Sequence, residues 1–149
     1  MPPFGLRRAI FSDMEAVARL HRRVRKTCLP YLPDLHTPEE DLAFFQNEVF
    51  PNSIIWVAEA EGELVGVAAV SEGWLDHLYV EPSWQGRGVG SALLSMAKEG
   101  NAELELWTFQ DNRQARRFYE TRGFRLVELT DGSSNEEQTP DARYRWTGD

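Results

Sequence analysis

The sequence predicts a single mixed α/β domain, on three observations. Its 149 residues are 42% hydrophobic, which is enough for one sizeable core and suits one domain, 1–149. Short β-rich runs recur between segments whose apolar residues fall at helical spacing. Their order, β-α-α-β-β-β-α-β-α-β-β, has no internal repeat and no linker, and it reads as a mixed sheet with helices packed on it.

"LRRAI" opens as a short strand. In "SDME", Ser12 with Glu15 three residues on is a capping-box pattern for the first helix, whose inner face is Met14, Val17, Leu20 and Val24. Pro30 and Pro33 break it. Thr37, Pro38 and Glu40 give a second start signal, with Leu42, Phe45 and Val49 facing inward and Pro51 as the stop. "SIIWVAEA" and "LVGVAAV" form a hairpin about Glu61, Gly62 and Glu63, and "WLDHLYV" is the next strand. A helix with Ala92, Leu93, Met96 and Ala97 follows a glycine-rich turn. "AELELWTF" sets Leu104 and Leu106 against Glu103 and Glu105, a strand with one polar face. "NRQARRFYETRG" is a helix closed by Gly123, with Ala115, Phe118 and Tyr119 inward. "FRLVELT" and "RYRWT" are the last strands. The polar, acidic stretch 131–142 between them reads as a mobile loop.

Composition narrows the function. Sixteen basic against twenty-four acidic residues leave a formal charge of -8, which disfavours nucleic acid and anionic membranes and favours cationic small molecules such as amines. The single cysteine, Cys28, allows no internal disulfide and no cysteine-paired metal cluster, so no metal is expected. With no signal-peptide pattern at the start and no apolar run long enough to cross a bilayer, a cytoplasmic protein is expected.

The chemistry-bearing segment is "VEPSWQGRGVGSALL", Val80 to Leu94, a strand, a glycine turn and a helix. Main-chain N–H groups and a helix N-terminus at such a turn suit a phosphate. A P-loop requires lysine after its last glycine, but Ser91 and Ala92 follow Gly90. A G-x-G-x-x-G/A dinucleotide fingerprint fails as well, since its third position falls on Ser91 or Leu93. The pattern Q/R-x-x-G-x-G/A is met by Gln85, Gly88 and Gly90. Further on, N-x-x-A-x-x-F-Y-x-x-x-G-F is met by Asn112, Ala115, Phe118, Tyr119, Gly123 and Phe124.

These two signatures, in this order and at this spacing, resemble the GNAT superfamily of N-acetyltransferases, specifically from about Leu75 to Phe124. The resemblance implies a GNAT-like fold: a mixed, mostly antiparallel sheet of about 6–7 strands, with the fourth and fifth splayed apart, and about four helices. It implies acetyl-CoA as cosubstrate and a small-molecule amine as acceptor, and it allows a homodimer. The pantetheine arm would pair with the backbone of Leu78, Tyr79 and Val80. Gln85, Gly86, Arg87, Gly88, Val89, Gly90 and Ser91 would surround the pyrophosphate. Asn112 would bond the pantetheine arm or cap its own helix, and both roles stand open. Tyr119 matches the tyrosine that faces the CoA sulfur, the general acid, with simple packing beside Phe118 as its other reading. For the base, strand alternation puts Trp74, Asp76 and Leu78 on one face and Leu75, His77 and Tyr79 on the other. Asp76 ranks first, His77 second, and a solvent-relayed proton stands as a third route. Tyr31, His36 and Trp107 are the candidates for acceptor binding, and the amine itself stays unnamed. A polypeptide N-terminus as acceptor, or a noncatalytic acyl-CoA-binding module, are the competing readings.

Overall fold

A computed structural model describes residues 3–148. Seven strands form one sheet in the order β1-β2-β3-β4-β5-β7-β6. They are β1 (Gly5–Arg8), β2 (Ile54–Ala60), β3 (Glu63–Ser71), β4 (Trp74–Val80), β5 (Glu103–Phe109), β6 (Arg125–Leu129) and β7 (Asp141–Thr147). Every neighbouring pair is antiparallel except β4 and β5. The helices are α1 (Met14–Cys28), α2 (Pro38–Phe44), α3 (Phe50–Asn52), α4 (Val89–Glu99) and α5 (Arg113–Glu120). A π turn, Phe45–Val49, joins α2 to α3, so 38–52 is one continuous helical segment. The expected class, strand number and helices are all present. No helix among the described residues is long and apolar enough to cross a membrane.

The sheet lies between two apolar layers. On one face Met14, Val17 and Leu20 of α1, with Phe45 and Val49, pack on Val57 and Val67. On the other, Leu93 and Leu94 of α4 meet Leu104, Leu106 and Tyr144. Gly66 sits where α4 crosses β3, and a Cβ there would stand 2.8 Å from both Val89 and Leu93, so the absent side chain sets the close approach. Tyr144, wholly buried, ties β7 to α5, its hydroxyl donating to Glu120 and accepting from Arg116 Nε at 2.9 Å.

Local signals resolve in several ways. Thr37 Oγ1 accepts from the Glu40 N–H at 3.1 Å and Glu40 Oε1 from the Thr37 N–H at 2.8 Å, so that capping box forms. The one expected at Ser12 and Glu15 does not. A 3₁₀ turn (Phe11–Asp13) precedes α1, and Asp13, held by Arg7 at 2.8 Å, accepts from the Ile10 N–H instead. Pro51 does not stop its helix. Phe50 N–H bonds back to Phe45 O, and this wider turn precedes the proline, which has no N–H to donate. Glu61 and Gly62 both have positive φ, giving the hairpin a tight turn, and Glu63 belongs to β3. The segment 131–140 is a compact loop. Asn135 Nδ2 donates to Thr139 O at 2.7 Å and to Asp141 Oδ2 at 3.0 Å, Thr139 N donates back to Asn135 Oδ1, and Gln138 Nε2 donates to Asn135 O at 2.7 Å. Its order comes from side-chain amides and needs no apolar anchor.

Candidate active site

The parallel pair β4 and β5 meets in register only at Trp74 and Glu105, where Glu105 N–H donates to Gly73 O at 2.9 Å. Beyond that point the strands diverge, and a cavity of about 500 Å³ fills the gap. Its walls carry Asp76, Leu78, Tyr79 and Val80 from β4, Gln85, Gly86, Gly88, Gly90 and Ser91 from the glycine turn, and Asn112 and Tyr119 from α5 with its cap. Most residues predicted to bind the donor thus line one space.

The turn is built for close backbone approach. Gly86 and Gly88 have φ of 78° and 86°, and a Cβ on either would meet nothing within 4 Å, so the backbone borders open space. Gly88 is the N-cap of α4, whose first-turn N–H groups and dipole face the same region. Gln85 fixes the turn with its amide, which donates to Val80 O at 3.2 Å and reaches Cys28 Sγ at 3.5 Å. Gln114 Nε2 donates to the Gln85 carbonyl oxygen at 3.3 Å. This geometry fits a pyrophosphate held by main-chain donors. Arg87 does not line the cavity, and its guanidinium lies 4.9 Å from the centre of the Trp84 ring. The Val89 side chain is buried under α4 and contributes packing. Asn112 caps α5, its Oδ1 accepting from the Ala115 N–H at 3.2 Å, and also borders the cavity.

A second cavity of about 720 Å³ adjoins the first. Asp76, Tyr79, Trp107, Phe109, Arg25 and Leu29 line both. His77, His36 and His21 belong to the second cavity alone, which is bordered by the 30–36 segment and by Glu136 and Glu137 of the 131–140 loop. Glu136 pairs with His36 and Glu137 with Arg25 at 3.3 Å. Tyr31 is 44% exposed and lines neither cavity; partial burial, then Asp111, pushes its hydroxyl pKa up.

Register explains the difference between Asp76 and His77. Ala69 pairs with His77 and Val70 with Leu75, so Asp76 is the extra residue of a β-bulge. Strict alternation fails there. Leu75 falls on the same face as Leu78, in the core beneath α4, whereas His77 and Tyr79 face α1 and Phe45. This corrects the expected placement of Leu75. The bulge aims Asp76 into the junction of the two cavities, where it is open to solvent yet flanked by protein. That partial desolvation raises its carboxyl above the ordinary range, against the Ser71 hydroxyl that donates to it. Burial pulls His77 down to about 3, with His21 nearby adding to it, and leaves it neutral, its Nδ1 3.0 Å from the Tyr79 hydroxyl. A base that weak is poorly matched to an ammonium, which favours Asp76 between the two.

Tyr119 is 8% exposed, set between Phe118 and Phe124 with ring centres 5.3 Å away. Burial, and secondarily Tyr79, raise its pKa, so it holds its proton at neutral pH. Among the described residues its hydroxyl makes no hydrogen bond, which leaves that proton available to a group in the cavity.

The lining residues that sequence reasoning missed include Arg25, Cys28, His21 and Arg122. Arg122 donates to Ser91 Oγ from Nε at 3.1 Å and Nη2 at 2.7 Å, and stacks 3.9 Å from the Phe118 ring centre. Its signal was present, four residues after Phe118 in the turn that ends α5. His21 falls between Val17 and Val24 on the inner stripe of α1 and was readable on the same ground. Arg25 and Cys28 become lining residues only through the packing of α1 over the splay.

The description "Acetyltransferase (GNAT) domain" matches residues 51–126. The chain belongs to the GNAT acetyltransferase family. It is 32% identical over 104 residues to the peptidyl-lysine N-acetyltransferase YiaC of Escherichia coli (strain K12), a match that covers 69% of this chain and 62% of that one. The match thus spans less than two thirds of that relative. The solution structure of apo YjaB from Escherichia coli superposes with a TM-score of 0.79 at 23% identity, over 99% of both chains. The PaiA N-acetyltransferase of Thermoplasma acidophilum, solved with coenzyme A, gives 0.76 at 20% identity over 98% of this chain and 99% of that one. At those identities the structures establish the fold.

Proposed function

We propose that this GNAT-family chain is an acetyl-CoA-dependent N-acetyltransferase whose acceptor is the primary amine of a small molecule. One observation carries the reading: two cavities meet at the β4–β5 splay, one bordered by the glycine turn and Tyr119, the other by polar and aromatic side chains, with Asp76 between them. The second has the size of a small-molecule pocket, and the 131–140 loop walls it in.

In this reading the glycine turn and the start of α4 hold the pyrophosphate, and the backbone of Leu78, Tyr79 and Val80 orders the pantetheine arm in the gap. Asp76 takes a proton from the acceptor ammonium, directly or through water. The amine nitrogen then bonds to the thioester carbonyl carbon, while a β4 N–H steadies the charge developing on the carbonyl oxygen. The C–S bond breaks, Tyr119 gives its proton to the departing sulfur, and the second proton that the acylated nitrogen sheds restores the phenol. His77 stays a neutral part of the acceptor wall.

A lysine side chain of a polypeptide is the second reading, favoured by the name of the 32% identical relative, a peptidyl-lysine N-acetyltransferase. Thiol release from acetyl-CoA, followed against a panel of small amines and lysine-containing or free-N-terminus peptides, separates the cases. Turnover with small amines is the expected result. Turnover with peptides alone overturns the small-molecule acceptor, and donor binding with no thiol release from any acceptor overturns the catalytic reading.

A further inference from the structure

We propose that the arginine-bearing outer face of α5 is a subsite for the 3′-phosphate at the nucleotide end of coenzyme A, by which the protein tells CoA-type donors from their 3′-dephospho forms. The inference rests on the donor reading above and adds a group that the reading does not use. A shallow cavity of about 360 Å³ lies along Arg113, Gln114, Arg117, Phe118, Thr121 and Arg122, and Gln114, Phe118 and Arg122 also line the donor cavity. The shallow cavity therefore continues the donor cavity past the glycine turn, where a chain leaving the pyrophosphate would emerge.

The fold does not account for the charges there. Arg113 and Arg117 stand four residues apart on one helix face, a like-charge pair that weakens a helix, and Arg113 opens α5 at the end where the dipole disfavours a cation. Among the described residues Arg7, Arg22, Arg23, Arg143 and Arg145 are ion-paired, whereas Arg113 and Arg117, like Arg8, Arg87 and Arg125, are not. On a chain of net charge -8, neither Arg113 nor Arg117 has a carboxylate within 4.0 Å among the described residues. Arg122, fixed by Ser91 Oγ and by the Phe118 carbonyl at 3.0 Å, holds a third guanidinium at the boundary. Three such groups beside one opening suit a phosphate monoester dianion, which guanidinium forks bind in pairs.

The test is calorimetric titration of CoA and 3′-dephospho-CoA into the wild type and into an Arg113→Ala, Arg117→Ala double variant. Both residues are exposed, so the fold survives their loss. The wild type should bind CoA about tenfold more tightly or better, and the double variant should lose that preference by weakening CoA alone, with dephospho-CoA within about twofold of wild type. Equal wild-type affinities, a preference that survives in the variant, or equal weakening of both ligands each overturns the subsite while leaving the donor reading intact. A wild type that binds neither ligand overturns the donor reading and the subsite with it.

Discussion

Acidification from pH 7 to 5 should cost this protein much of its stability, through two histidines that the fold keeps neutral. Burial first, then Arg25, Arg22 and His36, holds His21 down to about 4, and burial with His21 beside it holds His77 down to about 3. His21 Nδ1 is buried without a partner, 4.9 Å separates its ring centre from that of Tyr79, and Phe45 packs on both imidazoles. In the unfolded chain each titrates near 6.5. Below that value the unfolded state takes up protons that the folded state refuses, so stability falls as pH falls until the folded values are reached. At about 1.4 kcal/mol per pH unit, and with the window opening at 6.5, each histidine contributes about 2 kcal/mol of loss by pH 5, or about 4 kcal/mol for the pair. A domain of this kind has only about 5–15 kcal/mol to lose. Asp13, which Arg7 holds below the usual carboxylate range, acts at lower pH and stays out of this window. Urea unfolding at pH 7 and pH 5, for the wild type and His77→Leu, measures the effect. The variant removes one titrating group at similar volume, and its own change in stability at pH 7 cancels in the comparison. Its loss on acidification should be about 2 kcal/mol smaller than that of the wild type. Equal losses would refute the idea that His77 is held neutral.

Three further outcomes follow from the candidate site. Tyr119→Phe should lower kcat by about a hundredfold or more while acetyl-CoA affinity stays within about twofold, because the hydroxyl is lost and the ring that packs is kept; an unchanged kcat in the thiol-release assay removes Tyr119 as the acid. Gly88→Val should weaken acetyl-CoA binding by about tenfold or more, since the residue sits at φ 86° and a side chain would enter the space beside the turn; wild-type affinity by titration would mean that the pyrophosphate lies elsewhere. Asp76 has a raised pKa, so kcat/KM should climb with pH through a value above the ordinary carboxylate range. Asp76→Asn should abolish that limb and lower kcat, and an unaltered pH profile would leave the proton to water.

The order of elements was legible because each carries its own local signal. Thr37, Pro38 and Glu40 announce a helix start, and the alternation of Leu104 and Leu106 with glutamates announces a half-buried strand. What escaped depended on partners distant in sequence. Nothing in "WLDHLYV" says that Asp76 is a bulge, because a bulge is defined by the register of β3 against β4. Ser12 lost its cap role to Asp13 because Arg7, across from β2, holds the Asp13 carboxylate where the Ile10 N–H can reach it. Much of the first cavity is lined by contiguous motifs, although Arg87 and Val89 of the glycine turn stay out of it. The second cavity is assembled from the 30–36 segment, α1 and the 131–140 loop, three stretches whose meeting no short pattern records. Tyr31 shows the limit: an aromatic in a proline-stiffened loop invited a binding role, and the chain turns it away from both cavities.

The divergence of β4 from β5 also bears on how the molecule lives beside its neighbours. A strand with unpaired N–H and C=O groups is ordinarily a hazard, since it offers another chain a template for aggregation. Here the unsatisfied ribbon lies in the middle of the sheet, with β3 on one side and α1, α4 and α5 standing around the opening. Those helices cover what would otherwise be a free sheet edge. The protein thus keeps an adhesive main-chain surface in permanent readiness without presenting it to the crowd outside.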